Sequence, residues 1–499
     1  MDNPRHRDIQ ECHEEIVSVI DEQAAHEIVT IETPSLGDRS YLAIAGSWAV
    51  AVDPQRDIDR VEAVLAARRV RLGTVLETHI HNDYVTGGRA LALRHRATYV
   101  VPAGPRLSYE ARRVRGGDEL RVGPQSIVVL DAPGHTDAHA AYEIRVEGAT
   151  SGTAFTGGSL LLGGAGRTDL LGADRAEALA RQQYRSVRRL ATLLPRDTVV
   201  CPTHGFGSYC AAGNPAGGGT SLAEQIRTNE AFHVDEDTFV ANMLAKLRPY
   251  PRYFAFMGQR NAWFPTSANL EPLPELALDE LPDDSPAVTS RVILDVRPRS
   301  DYAAAHVEGS LHVDGRGNLA SWYGWVSSIE AEVTLVASGT EEAAAAQREL
   351  RRIGVDSIRG ACIAPDLTAF AGAACGPVVS MLRRATFADL AAELRLGEDI
   401  VVLDVRDEDE RRALRIAGSL GIPVYDLPQA DLEALRGRNV WVHCAAGFRA
   451  TLAASILERA GIRSAIVDDH IDAAADLGLA YEPIASVERE ALAVASIAA

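Results

Sequence analysis

The chain has 499 residues, a length that suggests about three domains. Hydrophobic residues make up 46% and charged residues 24%, which excludes disorder for the chain as a whole. The formal net charge of −19 argues against nonspecific nucleic-acid binding and against docking on anionic lipid, both of which need a basic surface.

Residues 1–27 read as an N-terminal extension without an apolar signal core. No apolar run is long enough to span a bilayer, so the expected location is cytoplasmic. The six cysteines are too few for a disulfide scaffold and are read as thiols. From 28 to 264, β-type runs at 48–52, 73–77, 126–130 and 198–201 end in turns rich in Gly, Pro, His or Asp. Helical patterns at 61–69 and 176–194 lie between them, which predicts an α/β domain. Residues 265–288 are acidic and Pro-punctuated and predict a linker. Beyond it one grammar occurs twice: an apolar strand ending in Asp-Val-Arg (Asp295 to Arg297, Asp404 to Arg406), an acidic stretch, then Gly-Ser-Leu from Gly309 and from Gly418. This internal repeat predicts two α/β units, 289–376 and 383–485, with Gly376 and Pro377 at the joint.

In the first domain His79, His81 and Asp83 follow a strand end, His135 follows a turn, and His204 follows the last strand. Imidazole and carboxylate are ligands of zinc and non-haem iron, and strand ends of an α/β sheet converge on one edge. A single histidine reads as an ordinary hydrogen-bonded side chain, and His95 and His233 keep that reading. Five such residues after β-type runs read as a metal site.

In the second repeat, Cys444 sits between the strand pattern that begins at 439 and an amphipathic helix carrying Leu452, Ile456 and Leu457. Amides at a helix N-terminus favour an anion there, so a thiolate and then a persulfide are expected on Cys444. Ala445, Ala446, Gly447 and Phe448 form the cradle, Gly447 lets it curl, and Arg449 is placed to pair with an oxyanion. In the first repeat Ser338 or its neighbour stands at the cysteine's place, and Glu341 and Glu342 open the helix. A hydroxyl cannot hold a sulfane sulfur, so this copy reads as silent. Cys12, Cys201, Cys210, Cys362 and Cys375 read as ordinary thiols, although Cys201 and Cys210 flank His204.

The His-x-His-x-Asp run, the Pro-Gly-His-Thr turn and the late His resemble the metallo-β-lactamase fold. Residues 166–174 and the His-Gly-Phe-Gly-Ser run from His204 are similar to its persulfide dioxygenase branch, which oxidises a thiol persulfide with O2 to sulfite at one iron. The two repeats resemble rhodanese domains. The six-residue loop from Cys444 to Arg449 has the sulfurtransferase length, whereas the related phosphatases use a loop one residue longer. The whole chain thus resembles a multidomain persulfide dioxygenase–rhodanese fusion.

The resemblance implies an αββα sandwich followed by two rhodanese-like α/β domains with parallel sheets. It implies Fe(II), with Zn as the alternative, and Arg167 and Asp169 as substrate-binding residues. The implied partners are a small-molecule persulfide, thiosulfate and a low-molecular-weight thiol, in a chain that forms a homo-oligomer or stands alone.

The family's iron is held by two His and one Asp. Here His79 and His135 match the histidines, Gly158 stands in the Asp position, and Tyr84 replaces a further family His. Asp83, His139 or a Tyr84 phenolate are three ways to complete the set. The open readings of this domain are a metal enzyme, a persulfide- or thiol-binding module without catalysis, and an altered metallo-hydrolase feeding the rhodanese. A sulfur sensor is a further reading of the whole chain.

Overall fold

The structure is a computed structural model that describes residues 16–21, 26–205, 207–212, 221–281, 290–370 and 378–479. Residues 282–288 of the expected linker, Gly376, Pro377, residues 480–485, Cys12 and Cys375 lie outside the described residues. The chain divides into two units: 1–270 with 348–354, and 271–347 with 355–499.

The first unit holds a seven-stranded and a five-stranded sheet. The seven strands run in chain order from Ile16–Asp21 to Arg112–Val114. Ile16–Asp21 pairs antiparallel with His26–Thr33, so part of the stretch read as an extension belongs to the sheet. The two sheets face each other across Tyr41, Val50, Leu76 and Val100 on one side and Ile127, Val129, Tyr142 and Phe155 on the other. Helices Asp59–Arg68 and Gly88–His95 close one outer face, through Val61, Val64, Leu65 and Leu91 packed on Val29, Leu42, Ala51 and Val75. Helices Ala176–Leu193 and Glu236–Lys246 close the other, through Ala180, Val187, Leu190, Phe239 and Met243 on Leu130, Ala141, Ala154 and Val200. The order helix, sheet, sheet, helix is the αββα sandwich that the sequence led us to expect. Each fully buried aliphatic side chain in these three contact layers contributes about 1.5–3 kcal/mol.

The predicted strands and helices fall where the pattern put them: Trp48–Val52, Arg71–Leu76, Gln125–Asp131 and Val199–Pro202 are strands, and Asp59–Arg68 and Ala176–Leu193 are helices. The strand ends deliver the site residues. Arg71–Leu76 runs into Glu77, Thr78 and His79, and Val199–Pro202 runs into Thr203 and His204.

The second unit holds two parallel sheets, one per repeat. In the first, Arg291–Asp295 pairs with Leu311–His312 and with Glu332–Ala337, which pairs with Ile358–Ile363. In the second, Ile400–Asp404 pairs with Leu420–Gly421 and with Asn439–His443, which pairs with Ser464–Val467. The Asp-Val-Arg grammar does the same work in both. Arg297 donates its backbone N–H and guanidinium to Asp295, and Arg406 does so to Asp404. Each guanidinium also reaches a carbonyl, Ala305 O at 2.8 Å and Leu414 O at 2.6 Å. These buried ion pairs brace the end of the strand that carries the motif in each repeat, which is why the motif recurs. Among the described residues no helix is long and apolar enough to cross a membrane.

Candidate functional site

Two groups of residues carry chemistry. The first lies among the strand ends of the sandwich. The imidazoles of His79, His81, His135, His139 and His204 are all buried there, and His79 lies within ring contact of the other four. The ligand nitrogens of His79, His135 and His204 lie within 4.8 Å of one another, and Nε2 of His79 is 3.2 Å from Nε2 of His204.

The ring orientations are fixed from behind. His79 Nδ1 lies 2.9 Å from Thr78 Oγ1, and Thr78 donates its hydroxyl to Asp53 Oδ2 at 2.7 Å. His135 Nδ1 lies 2.8 Å from the carbonyl of Arg167, and its buried Nε2 has no protein partner. His204 Nδ1 lies 2.8 Å from Asp38 Oδ1 and 3.2 Å from Asp83 Oδ2. Asp53 has φ 49°, a strained conformation for a non-glycine residue, and it gathers Thr78, Thr203 and His81 onto one carboxylate. Gln183 pins the turn at residue 158 by donating to Gly158 O and Ser159 O.

The other expected ligands are turned to different tasks. His81 Nε2 lies 3.2 Å from Asp53 Oδ1, 3.3 Å from Glu77 Oε2 and 3.1 Å from the Tyr84 hydroxyl. Burial alone would push His81 down, but the Asp53 and Glu77 carboxylates override it and raise it to about 10. Its Nε2 is the centre of a buried carboxylate network. Burial and the surrounding carboxylates push the Tyr84 phenol well above its ordinary value, so it stays protonated. His139 Nε2 accepts the Gly158 N–H at 3.0 Å. Burial lowers His79 and His135 well below the usual imidazole range, and the neighbouring rings add to it. His204 is the exception: burial pulls it down, but Asp83 and Asp38 raise it to about 9.

The ligand set that the dioxygenase resemblance implies does not fit this site. A Cβ on residue 158 would lie 2.2 Å from Cδ2 and 2.7 Å from Nε2 of His135. The His135 ring stands where the stem of a carboxylate would be. A two-ion site fits no better, because Tyr84 holds its position with a bond to His81. Arg167 is 2% exposed and spends its guanidinium on Asp169, Tyr209 O and Arg248 O, so both expected substrate-binding residues face each other.

The second group lies in the second repeat. Strand Asn439–His443 ends at Cys444, and helix Phe448–Arg459 begins four residues later. Cys444 is 2% exposed, while Ala446 is exposed at the rim. Gly447 has φ 89°, and a Cβ there would meet Asp468 Oδ1 at 2.0 Å, so the curl admits only glycine. Among the described residues no protein acceptor takes the backbone N–H groups of residues 445–449. Five unspent amides beside one thiol are the donor set that an anion uses. Arg449 donates to both Glu410 oxygens, at 2.5 and 2.8 Å, and three of its N–H bonds remain. Phe448 packs beside Trp322 of the first repeat, with ring centroids 5.9 Å apart.

The first repeat lacks this loop. Its strand Glu332–Ala337 and helix Thr340–Arg352 are joined by Ser338 and Gly339 alone. The Ser338 N–H is taken by the Glu342 carboxylate at 2.6 Å. An internal carboxylate stands where the other copy leaves room for an anion. The residues that sequence reasoning missed are Asp38, Asp53, Thr78, Glu77 and Glu410; Asp38 and Asp53 stand in no spaced motif, and the other three adjoin one without a signal of their own.

A model of the rhodanese-like domain matches residues 274–359 and 386–474. A hydroxyacylglutathione hydrolase of Cereibacter sphaeroides is 35% identical over 184 residues, which cover 36% of this chain and 67% of that protein. One from Halorhodospira halophila is 34% identical over 217 residues, 38% of this chain and 79% of that protein. The crystal structure of a metallo-β-lactamase from Staphylococcus aureus subsp. aureus COL has a TM-score of 0.61 and 25% identity, over 68% of this chain and 99% of that one. The chain belongs to the metallo-β-lactamase-fold family that contains these hydrolases. It is a fusion of that fold with rhodanese-like domains, whose class is sulfur transfer.

Proposed function

We propose that this chain transfers sulfane sulfur through a persulfide on Cys444, and that its first unit binds the persulfide partner. The observation that carries the reading is the loop of residues 444–449: a buried thiol, five amides without acceptors and an arginine at the close. The thiolate attacks the outer sulfur of thiosulfate or of a low-molecular-weight persulfide. The new S–S bond forms as the old one breaks, and sulfite or a thiolate leaves with the electron pair. An acceptor thiolate then takes the terminal sulfur and returns Cys444 as a thiolate. No external oxidant or reductant enters, and the amides stabilise the anion at each stage.

The dioxygenase reading of the first unit, in which persulfide, O2 and water give thiol and sulfite, is a second reading. His79 and His135 favour it, and Gly158 with the His135 ring packed over it opposes it. The hydrolase activity named for the relatives is disfavoured, because Tyr84 and Gly158 stand where its ligand set needs a His and an Asp.

Cys444→Ser tests the first reading. The variant is expected to lose thiosulfate:cyanide sulfurtransfer to the level of a blank, with an unchanged fold and unchanged uptake of O2, if any, on addition of persulfide. Sulfurtransfer at the wild-type rate would overturn it. Persulfide-dependent O2 uptake by the full chain decides for the second reading.

A further inference from the structure

We propose that His204 takes the place of the missing carboxylate, so that His79, His135 and His204 form a three-imidazole site for one divalent transition-metal ion. The proposal goes beyond the reading of the first unit as the part that binds the persulfide partner, and it is independent of Cys444.

Three observations carry it. The first is convergence: the three rings present nitrogens within 4.8 Å of one another, in a part of the fold where all three side chains are buried. The second is which nitrogen each ring presents. Every Nδ1 has an acceptor behind it: Thr78 Oγ1, the Arg167 carbonyl, and the Asp38 carboxylate. Each Nδ1 is thus engaged from behind, which leaves each Nε2 as the atom turned toward the shared point. Two such nitrogens stand 3.2 Å apart, and the third has no protein partner. A metal ion at that point would take the place of the proton that His79 and His204 otherwise share. An imidazole whose far nitrogen donates to a carboxylate or a backbone carbonyl is also the usual arrangement of a metal-bound histidine.

The third observation is where the negative charge has gone. A neutral N3 set gives a divalent ion no charge of its own. Here Asp38 and Asp83 both stand behind His204, at 2.8 and 3.2 Å from Nδ1, and Asp53 stands behind Thr78 and His79. The carboxylate is thus moved one ring outward rather than lost. Gly158 is part of the same change, because only a residue without Cβ lets the His135 ring come in this far.

Two neighbouring imidazoles are engaged through Nε2. His81 is held by Asp53, Glu77 and Tyr84, and His139 Nε2 by the Gly158 amide. The three imidazoles define one ion position. Three imidazoles with open positions suit Zn(II) or Fe(II).

The test titrates the metal-free full-length protein with Co(II) without oxygen, reading the visible ligand-field absorption and the stoichiometry by calorimetry. The expected result is one Co(II) per chain. His204→Gln is expected to weaken binding at least about tenfold, and Asp38→Asn by roughly 10- to 100-fold. His233→Gln, on an exposed histidine outside the cluster, is expected to bind as the wild type does. Circular dichroism of each metal-free variant identifies any that fails to fold, and Asp38→Asn, which keeps all three imidazoles, is the second route to the answer. No uptake by the wild type, uptake of two ions, or wild-type affinity in both His204→Gln and Asp38→Asn would overturn the proposal. Sulfurtransfer is measured on the same samples. If Co(II) fails to bind while transfer persists, only this proposal falls. If transfer is absent while Co(II) binds, only the Cys444 reading falls.

Discussion

Arg449 closes the sulfur loop with a carboxylate already on it. Glu410 takes two of its hydrogen bonds, so the dianion of thiosulfate meets a guanidinium whose charge is largely spent. At neutral pH, Glu410→Gln is expected to lower the KM for thiosulfate about tenfold, on the order of one charge-assisted hydrogen bond, and to leave the KM for a low-molecular-weight persulfide nearly unchanged. An unchanged thiosulfate KM would show that the pair does not govern the anion. The same pair has a pH signature. Partial burial would raise the Glu410 carboxyl, but the Arg449 hydrogen bonds override it and hold it below its ordinary 4.5. Its contribution to stability is then fully present above pH 4.5 and is lost as pH falls through the depressed folded value. The stability difference between wild type and Glu410→Gln, measured by denaturant unfolding, should be flat above that ordinary value and shrink below it.

At the scale of elements, the two repeats share a scaffold and differ in one joint. Four residues, 444–447, separate strand from helix in one, and two, 338–339, in the other. Restoring the thiol alone should therefore not restore the site. Ser338→Cys in a Cys444→Ser background is expected to show no sulfurtransfer and no persulfide at residue 338. Transfer there would mean that the cysteine, and not the loop, sets the chemistry. This is also where the sequence was most legible. The Asp-Val-Arg repeats, the strand ends before His79, His204 and Cys444, and the first copy's missing cysteine are local patterns, and local patterns survive in one dimension. The partners that tune these residues are not local. Asp38 is 166 positions from His204, and Glu410 is 39 from Arg449. Packing of one sheet on the other brings the first pair together and packing of two helices the second, and no spacing in the chain records either. Gly158 was visible as a missing carboxylate, but only the folded chain shows the His135 ring in its place. Arg167 looked like a substrate contact because its neighbourhood resembles a family motif. In the fold its guanidinium braces Asp169 and two carbonyls, and its own carbonyl orients His135.

At the scale of the whole molecule, the chain joins an oxygen- and nitrogen-rich cluster in one unit to a sulfur loop in the other. The net charge of −19 makes a small thiol or sulfur anion dependent on local donors rather than on long-range attraction. The loop amides supply such donors in the second unit. The account stands or falls on whether those donors hold a loaded sulfur. The direct measurement is intact-protein and peptide mass spectrometry after brief incubation with thiosulfate or a low-molecular-weight persulfide, before and after cyanide. The account predicts a gain of one sulfur atom on the peptide containing Cys444 and on no other cysteine, removed by cyanide as thiocyanate appears. A Cys444 that stays unloaded while the chain still forms thiocyanate would contradict it.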